Sequence, residues 1–163
     1  MVDPLHLNGT IHDVLEALWM EAMEAVTALE LRNAAERWER FETGLRLHAH
    51  REDQDVMPVY VTLGPFPRGG APDIVRAEHL KLEKLGRAGR RAIAHIGDRA
   101  DMIRQLPHLM RVHQLFEHHT QREQSMVYPT LLARCEEAER GSIGATLQRS
   151  LSDVEELARA PSS

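Results

Sequence analysis

Apolar residues recur along this chain at intervals of three and four, the period of helices that bury one face. Ile11, Leu15, Leu18, Trp19, Ala22, Met23 and Val26 form the first stripe, and it predicts a helix from about Thr10, its N-cap, to about Leu31. A second helix is predicted over about Ala34 to Leu63. Its inward face carries Trp38, Phe41, Leu45, His48, Glu52, Val56 and Val59. The segment GPFPRGGAP at 64–72 then breaks the chain. A third helix, capped by Asp73, fades near Gly97 and aligns Val75, His79, Leu82, Gly86 and Ile93. The fourth covers about Ala100 to Glu139, with Pro107 marking its start or a kink. Val112, Leu115, Phe116, His119, Glu123, Met126, Val127 and Thr130 share its buried face, and Gly141 ends it. Ser142 to Ala158 reads as a weaker amphipathic helix, and the closing APSS as a disordered tail. Strand-like alternation is nearly absent, so the expected class is all-α. Residues 1–139 would make a helical bundle, and 140–163 an additional C-terminal helix and tail.

Polar residues interrupt these stripes in a repeating way. HAHREDQDVMP, from His48, and HTQREQSMVYP, from His119, each place a histidine four residues before a glutamate and end in Val-x-Pro. Earlier in each half stands another His-x-x-x-Glu, His12 with Glu16 and His79 with Glu83. Four residues turn a helix by about 400°, so both side chains of such a pair leave from nearly one face. Ten histidines and seventeen glutamates among 163 residues would produce about one such pair by chance, and this chain has five. The fifth, His113 with Glu117, lies about 240° around the helix from His119 and is expected at the surface.

Composition narrows the classes. A hydrophobic content of 42% with 28% charged residues fits a globular domain, and 163 residues suffice for one real core. A net charge of −5 argues against a nucleic-acid-binding surface, which needs a basic face. No apolar run reaches membrane-spanning length, and the N-terminal sequence lacks a basic-then-apolar leader. With a single cysteine, Cys135, the expected location is the cytoplasm.

A charged glutamate inside an apolar stripe costs several kcal/mol unless it is paired or holds a metal. Four helices that each turn His, or His with Glu, inward therefore point to a shared metal site built from His12, His48, Glu52, His79, His119 and Glu123. Glu16 and Glu83 could be acceptors behind a ligating imidazole, extra ligands or solvated residues; the non-ligand roles are favoured. His118, about 100° from His119, is the expected reserve ligand or supporting group. His50 should point outward, and His108 lies too far along its helix to reach the cluster. Arg51 and Arg122 read as carboxylate partners. Imidazole and carboxylate donors without thiolate suit Fe, Mn or Zn.

This pattern of one His, then His-x-x-x-Glu, then one His, then His-x-x-x-Glu, each glutamate leading into an aliphatic-x-Pro ending, resembles the hemerythrin-like, or HHE cation-binding, domains. The resemblance covers about residues 5–138. It implies an up-down-up-down four-helix bundle holding two irons, bridged by oxo or hydroxo groups, with Glu52 and Glu123 as bridging carboxylates. The family's oxygen carriers have a histidine where this chain has Glu83, and an aspartate five residues after the last histidine rather than Glu123 at four. The chain therefore resembles the six-ligand branch, and reversible oxygen carriage is put in doubt. The resemblance implies a protein that binds or senses O2 or NO, or handles iron. The alternatives are a di-iron enzyme consuming peroxide or NO, and a structural or zinc-filled bundle acting through its surface.

Overall fold

Asp3 opens the first helix: its side chain accepts the Leu5 backbone N–H at 3.0 Å, and Pro4 takes the first helical position, where no N–H is needed. In the computed structural model, which describes residues 3–160, α1 thus spans Pro4–Thr27. The spacing predicts Thr10 as the cap, but its hydroxyl instead donates to the His6 carbonyl at 3.0 Å from within the helix. The helix closes when Glu30 N–H reaches back to the Ala25 carbonyl and Leu29 N–H to that of Val26, with Leu29 left-handed at φ 60°.

α2 (Leu31–Arg51) runs through a π-helical turn, Glu52–Val56, into α3 (Met57–Thr62). After the Gly/Pro segment come α4 (Pro72–Ala94) and α5 (Arg99–Arg122), and α5 passes through a second π-helical turn, Glu123–Val127, into α6 (Tyr128–Arg134). α7 (Glu137–Arg159) completes five helical rods among the described residues, which contain no strand. The cap of α4 is Ala71 rather than Asp73, which sits in its first turn. Asp98 caps α5 by accepting from Asp101 N–H at 2.8 Å, and Pro107 lies inside that helix. Gly141 does not end a helix. The break falls at Cys135, and a reciprocal cap between Glu136 and Glu139 starts α7 four residues before that glycine. Of the expected disordered tail, residues 161–163 lie outside the described residues.

The two π turns have one cause. Pro58 and Pro129 lack an N–H, and their rings clash with the carbonyl four residues back in a regular helix. One extra residue per turn relieves the clash, and Met57 and Tyr128 donate to Glu52 and Glu123, five residues back. The buried phase slips accordingly. A continuous α-helix would put Val59 and Thr130 inside; both are only half-buried, and Met57, Tyr60, Tyr128 and Leu131 fill the core instead.

α1 packs on α2 and α7, α2 on α4 and α7, and α4 on α5. The α2–α4 contact is close because Gly89 leaves room for the Trp38 ring, whose indole N–H donates to the Gly86 carbonyl at 2.9 Å. α7 is not a weak appendage, since Ile143, Leu147 and Val154 join the common core. No helix among the described residues is long and apolar enough to cross a membrane.

A methyl group on Gly89 would stand 2.0 Å from Trp38 Cζ2, whereas one on Gly141 meets nothing within 4 Å. Gly89→Ala should therefore cost about 3 kcal/mol through overpacking. Gly141→Ala should stabilise by up to about 1 kcal/mol through helix propensity. Urea unfolding of the two variants checks both signs, and equal midpoints would refute the assigned α2–α4 contact.

Candidate metal centre

Each of four rods brings its inward polar residues to one point in the core. α1 supplies His12, α2 and its π turn supply His48 and Glu52, α4 supplies His79, and α5 and its π turn supply His119 and Glu123. All six are at most 4% exposed. Glu52, His79, His119 and Glu123 form one group with donor atoms mutually within 4.8 Å, and His12, His48 and Glu123 form another.

The separations match those between ligands of one ion. A metal–donor bond of about 2.1 Å sets neighbouring donors about 3.0 Å apart at a right angle and about 3.4 Å apart in a tetrahedron. His119 Nε2 stands 3.1 Å from Glu123 Oε1, His79 Nε2 3.4 Å from Glu52 Oε2, and His12 Nε2 3.4 Å from Glu123 Oε2. His12 and His48 bring their Nε2 atoms to 3.0 Å. Glu52 Oε2, His79 Nε2 and Glu123 Oε1 have no hydrogen-bond partner although fully buried. Unpaired polar atoms in a dry core are costly, and a cation between them would satisfy all three. These groups can hold a metal ion.

Three imidazoles are fixed from behind. His79 Nδ1 is 2.9 Å from Asp53 Oδ1, His119 Nδ1 is 3.2 Å from Glu78 Oε2, and His48 Nδ1 is 3.3 Å from the Ser150 hydroxyl of α7. Such contacts select the tautomer that leaves Nε2 free to ligate. Burial raises the Glu78 carboxyl, but hydrogen bonds from His119 and Arg122 outweigh it and hold Glu78 below its ordinary range. The carboxylates have their own donors. Asn8 gives an N–H to Glu123 Oε2 at 3.0 Å, and the Tyr128 hydroxyl donates to Glu52 Oε1 at 2.5 Å.

Sequence reasoning missed Asn8, Asp53, Glu78, Tyr128 and Ser150. Asn8 lies four residues before His12 on the same stripe, but a helix begun at Thr10 excludes it. Glu78 and Asp53 adjoin ligand positions and had a detectable signal in that adjacency. Tyr128 had none, because only the π turn rotates it inward.

The supporting residues expected from spacing lie elsewhere. Glu16 bonds His113 Nε2 at 2.7 Å, and Glu83 pairs with Arg87 at 2.6 Å. His118 is exposed and sits 2.7 Å from Arg122 Nη2, one step behind Glu78. His113 is not a surface residue as expected: it stacks on Trp19 with ring centroids 4.0 Å apart. His6, His50, His95 and His108 are exposed. Arg51 and Arg122 do pair with carboxylates, Asp153 and Glu78. A pocket of about 320 Å³ between α2 and α4, lined by His50, Asp53, His79 and Glu83 among others, reaches the cluster at His79.

Electrostatics divides the four imidazoles. Burial lowers His12 and His48 to about 4, and nearby Glu123 and Glu52 only partly offset it. Burial also opposes protonation of His79, but the hydrogen bond to Asp53 and the nearby charges of Glu123 and Glu52 push it up to about 12. For His119, burial is likewise outweighed by Glu123 and Glu78, and the value rises to about 9. The surroundings thus favour protonation of His79 and His119 and disfavour it at His12 and His48.

Comparison of the chain with protein-family models, curated proteins and solved structures finds no match in any of the three.

A metal bound at His79 and His119 would have to displace the protons that their surroundings favour, so apparent affinity should rise with pH. The rise should be steep between the ordinary 6.5 and about 9, where His119 gives up its proton, and calorimetry in buffers of different ionisation heat should show about two protons released. An affinity flat across that range would contradict the charge assignment. Separately, His113→Ala should lower unfolding free energy by about 1–3 kcal/mol through the lost Trp19 stack and Glu16 bond, without changing metal content.

Proposed function

We propose that this chain is a non-haem di-iron protein of the hemerythrin-like kind, six-ligand branch, that binds or senses a diatomic gas, O2 or NO, or handles iron. The observation that carries the reading is the convergence of four imidazoles and two carboxylates at ligand spacing, with three of their buried atoms unpartnered. Mixed nitrogen and oxygen donors without thiolate suit iron, and also Mn or Zn. Iron, when bound, supplies redox chemistry and open positions for small ligands such as O2, NO or peroxide.

The chain's own residues define what can reach such a site. Leu15, Val56, Leu82, Phe116 and Val127 are buried in the core that encloses the cluster, and Phe116 meets the His12 ring edge-on at 5.5 Å. An apolar enclosure of this kind admits neutral diatomic molecules more readily than ions. On the α2–α4 side, Asp53 lines the pocket and also holds His79 Nδ1, which links solvent to the cluster through one hydrogen bond. Glu83, at the position of the oxygen carriers' additional histidine, is engaged by Arg87, which favours sensing or redox use over reversible carriage.

Protein purified without a His tag should contain close to two irons per chain and absorb in the near ultraviolet through ligand-to-iron charge transfer. Glu123→Ala should lose both metals, since Glu123 faces His12 with one oxygen and His119 with the other. Elemental analysis decides the matter. Zinc at full occupancy would move the reading to a structural bundle, and no metal would end it.

A further inference from the structure

The two halves of the cluster are built on matching repeats, yet two positions break the match. The first π turn delivers Met57 to the core and the second delivers Tyr128; both are fully buried, but only the tyrosine carries a donor. Likewise Asn8 precedes His12 by four residues, where Val75 precedes His79.

The two glutamates are consequently held differently. The Tyr128 hydroxyl occupies Glu52 Oε1 at 2.5 Å. The imidazoles beside Glu52 make their closest approach to its other oxygen, Oε2: His79 at 3.4 Å and His48 at 3.7 Å. Glu123 instead faces imidazoles with both oxygens, His119 at 3.1 Å and His79 at 3.7 Å on Oε1, and His12 at 3.4 Å on Oε2. Its second oxygen accepts only the Asn8 amide N–H, at 3.0 Å, a weaker and longer bond than that from the phenol.

Resting on the two-metal reading, we infer that Tyr128 makes the two ion positions unequal, confining Glu52 to the ion at His79 and His119 and leaving Glu123 as the carboxylate that serves both. One position then has four protein donors, Glu52, His79, His119 and Glu123. The other has three, His12, His48 and Glu123. The four-donor position fills first and holds its ion. The three-donor position exchanges its ion more readily. Tyr128 is a positioning residue in this scheme: it acts on the ions only through Glu52.

The test is an anaerobic titration of the chelator-stripped full chain with ferrous ion against a chromophoric competitor. The unmodified chain should show two steps about tenfold or more apart in affinity, the scale on which supporting hydrogen bonds tune metal sites. Tyr128→Phe keeps the ring and frees Glu52 Oε1, so the weaker step should tighten by about threefold or more and the gap should narrow. Glu52→Gln should instead loosen the tighter step. A merely structural role for the hydroxyl would weaken both steps of Tyr128→Phe together, with a lower melting temperature by circular dichroism. That result, an unchanged gap, or two equal steps in the unmodified chain would overturn the inference while leaving two ions bound. Uptake of fewer than two ions by the unmodified chain would refute the two-metal reading itself, and the inference with it.

Discussion

Two carboxylates with no exposure at all, Glu52 and Glu123, stand among four buried imidazoles, and the structure is organised around compensating them. An isolated buried carboxylate costs several kcal/mol even after relaxation. Here the compensation is layered. The carboxylates favour protonation of His79 and His119, Tyr128 and Asn8 donate to one oxygen each, and Asp53 and Glu78 hold the imidazoles from the far side. Divalent ions would replace the two protons, so the same framework serves both conditions. A metal held between those groups would couple its uptake to folding.

The surrounding architecture follows from where those side chains have to meet. Two of the four rods carry a histidine and a glutamate of the cluster one turn apart, and the proline beyond forces a π turn that begins at the glutamate itself. The irregularity thus falls at the cluster rather than anywhere along the rods, and it turns Met57 and Tyr128 inward. α7 seals the flank formed by α1 and α2. Its Ser150 touches His48, while Thr146 bonds Asp55 at 3.0 Å and Asp153 pairs with Arg51. On the opposite flank, Arg122 binds Glu78 and also the carbonyl of Gly69, which ties the Gly/Pro segment to the support of His119. Gly69 accommodates this with a left-handed φ of 86°.

Much of this was legible in the sequence. Periodicity of 3.6 located every long helix, and the paired His-x-x-x-Glu motifs singled out six residues that the fold brings together, because one turn of helix converts a spacing of four into a shared face. Helix ends were less legible. Thr10, Asp73 and Gly141 looked like boundaries by residue type, but Asp3, Ala71 and the Glu136–Glu139 pair set them instead. Capping depends on which backbone groups are left without partners, and composition shows that only weakly. Spacing alone did not separate Glu16 and Glu83 from Glu52 and Glu123: they too sit four residues after a histidine, but one bonds His113 and the other Arg87, in keeping with the non-ligand roles favoured for them.

The sequence by itself determined the all-α class, the inward histidines and glutamates, and therefore the donor chemistry at the centre. These are properties of single helices, fixed by local period. Only the tertiary structure decided which groups stand behind the ligands and how the two carboxylates differ. Asp53, Glu78, Ser150, Asn8 and Tyr128 reach their partners across rods or across a π turn, and most of those contacts join residues far apart in the chain. A repeat in the sequence suggested a symmetric site. The extra residue in each π turn brought a methionine to one side and a hydroxyl to the other, and no periodicity could have distinguished them.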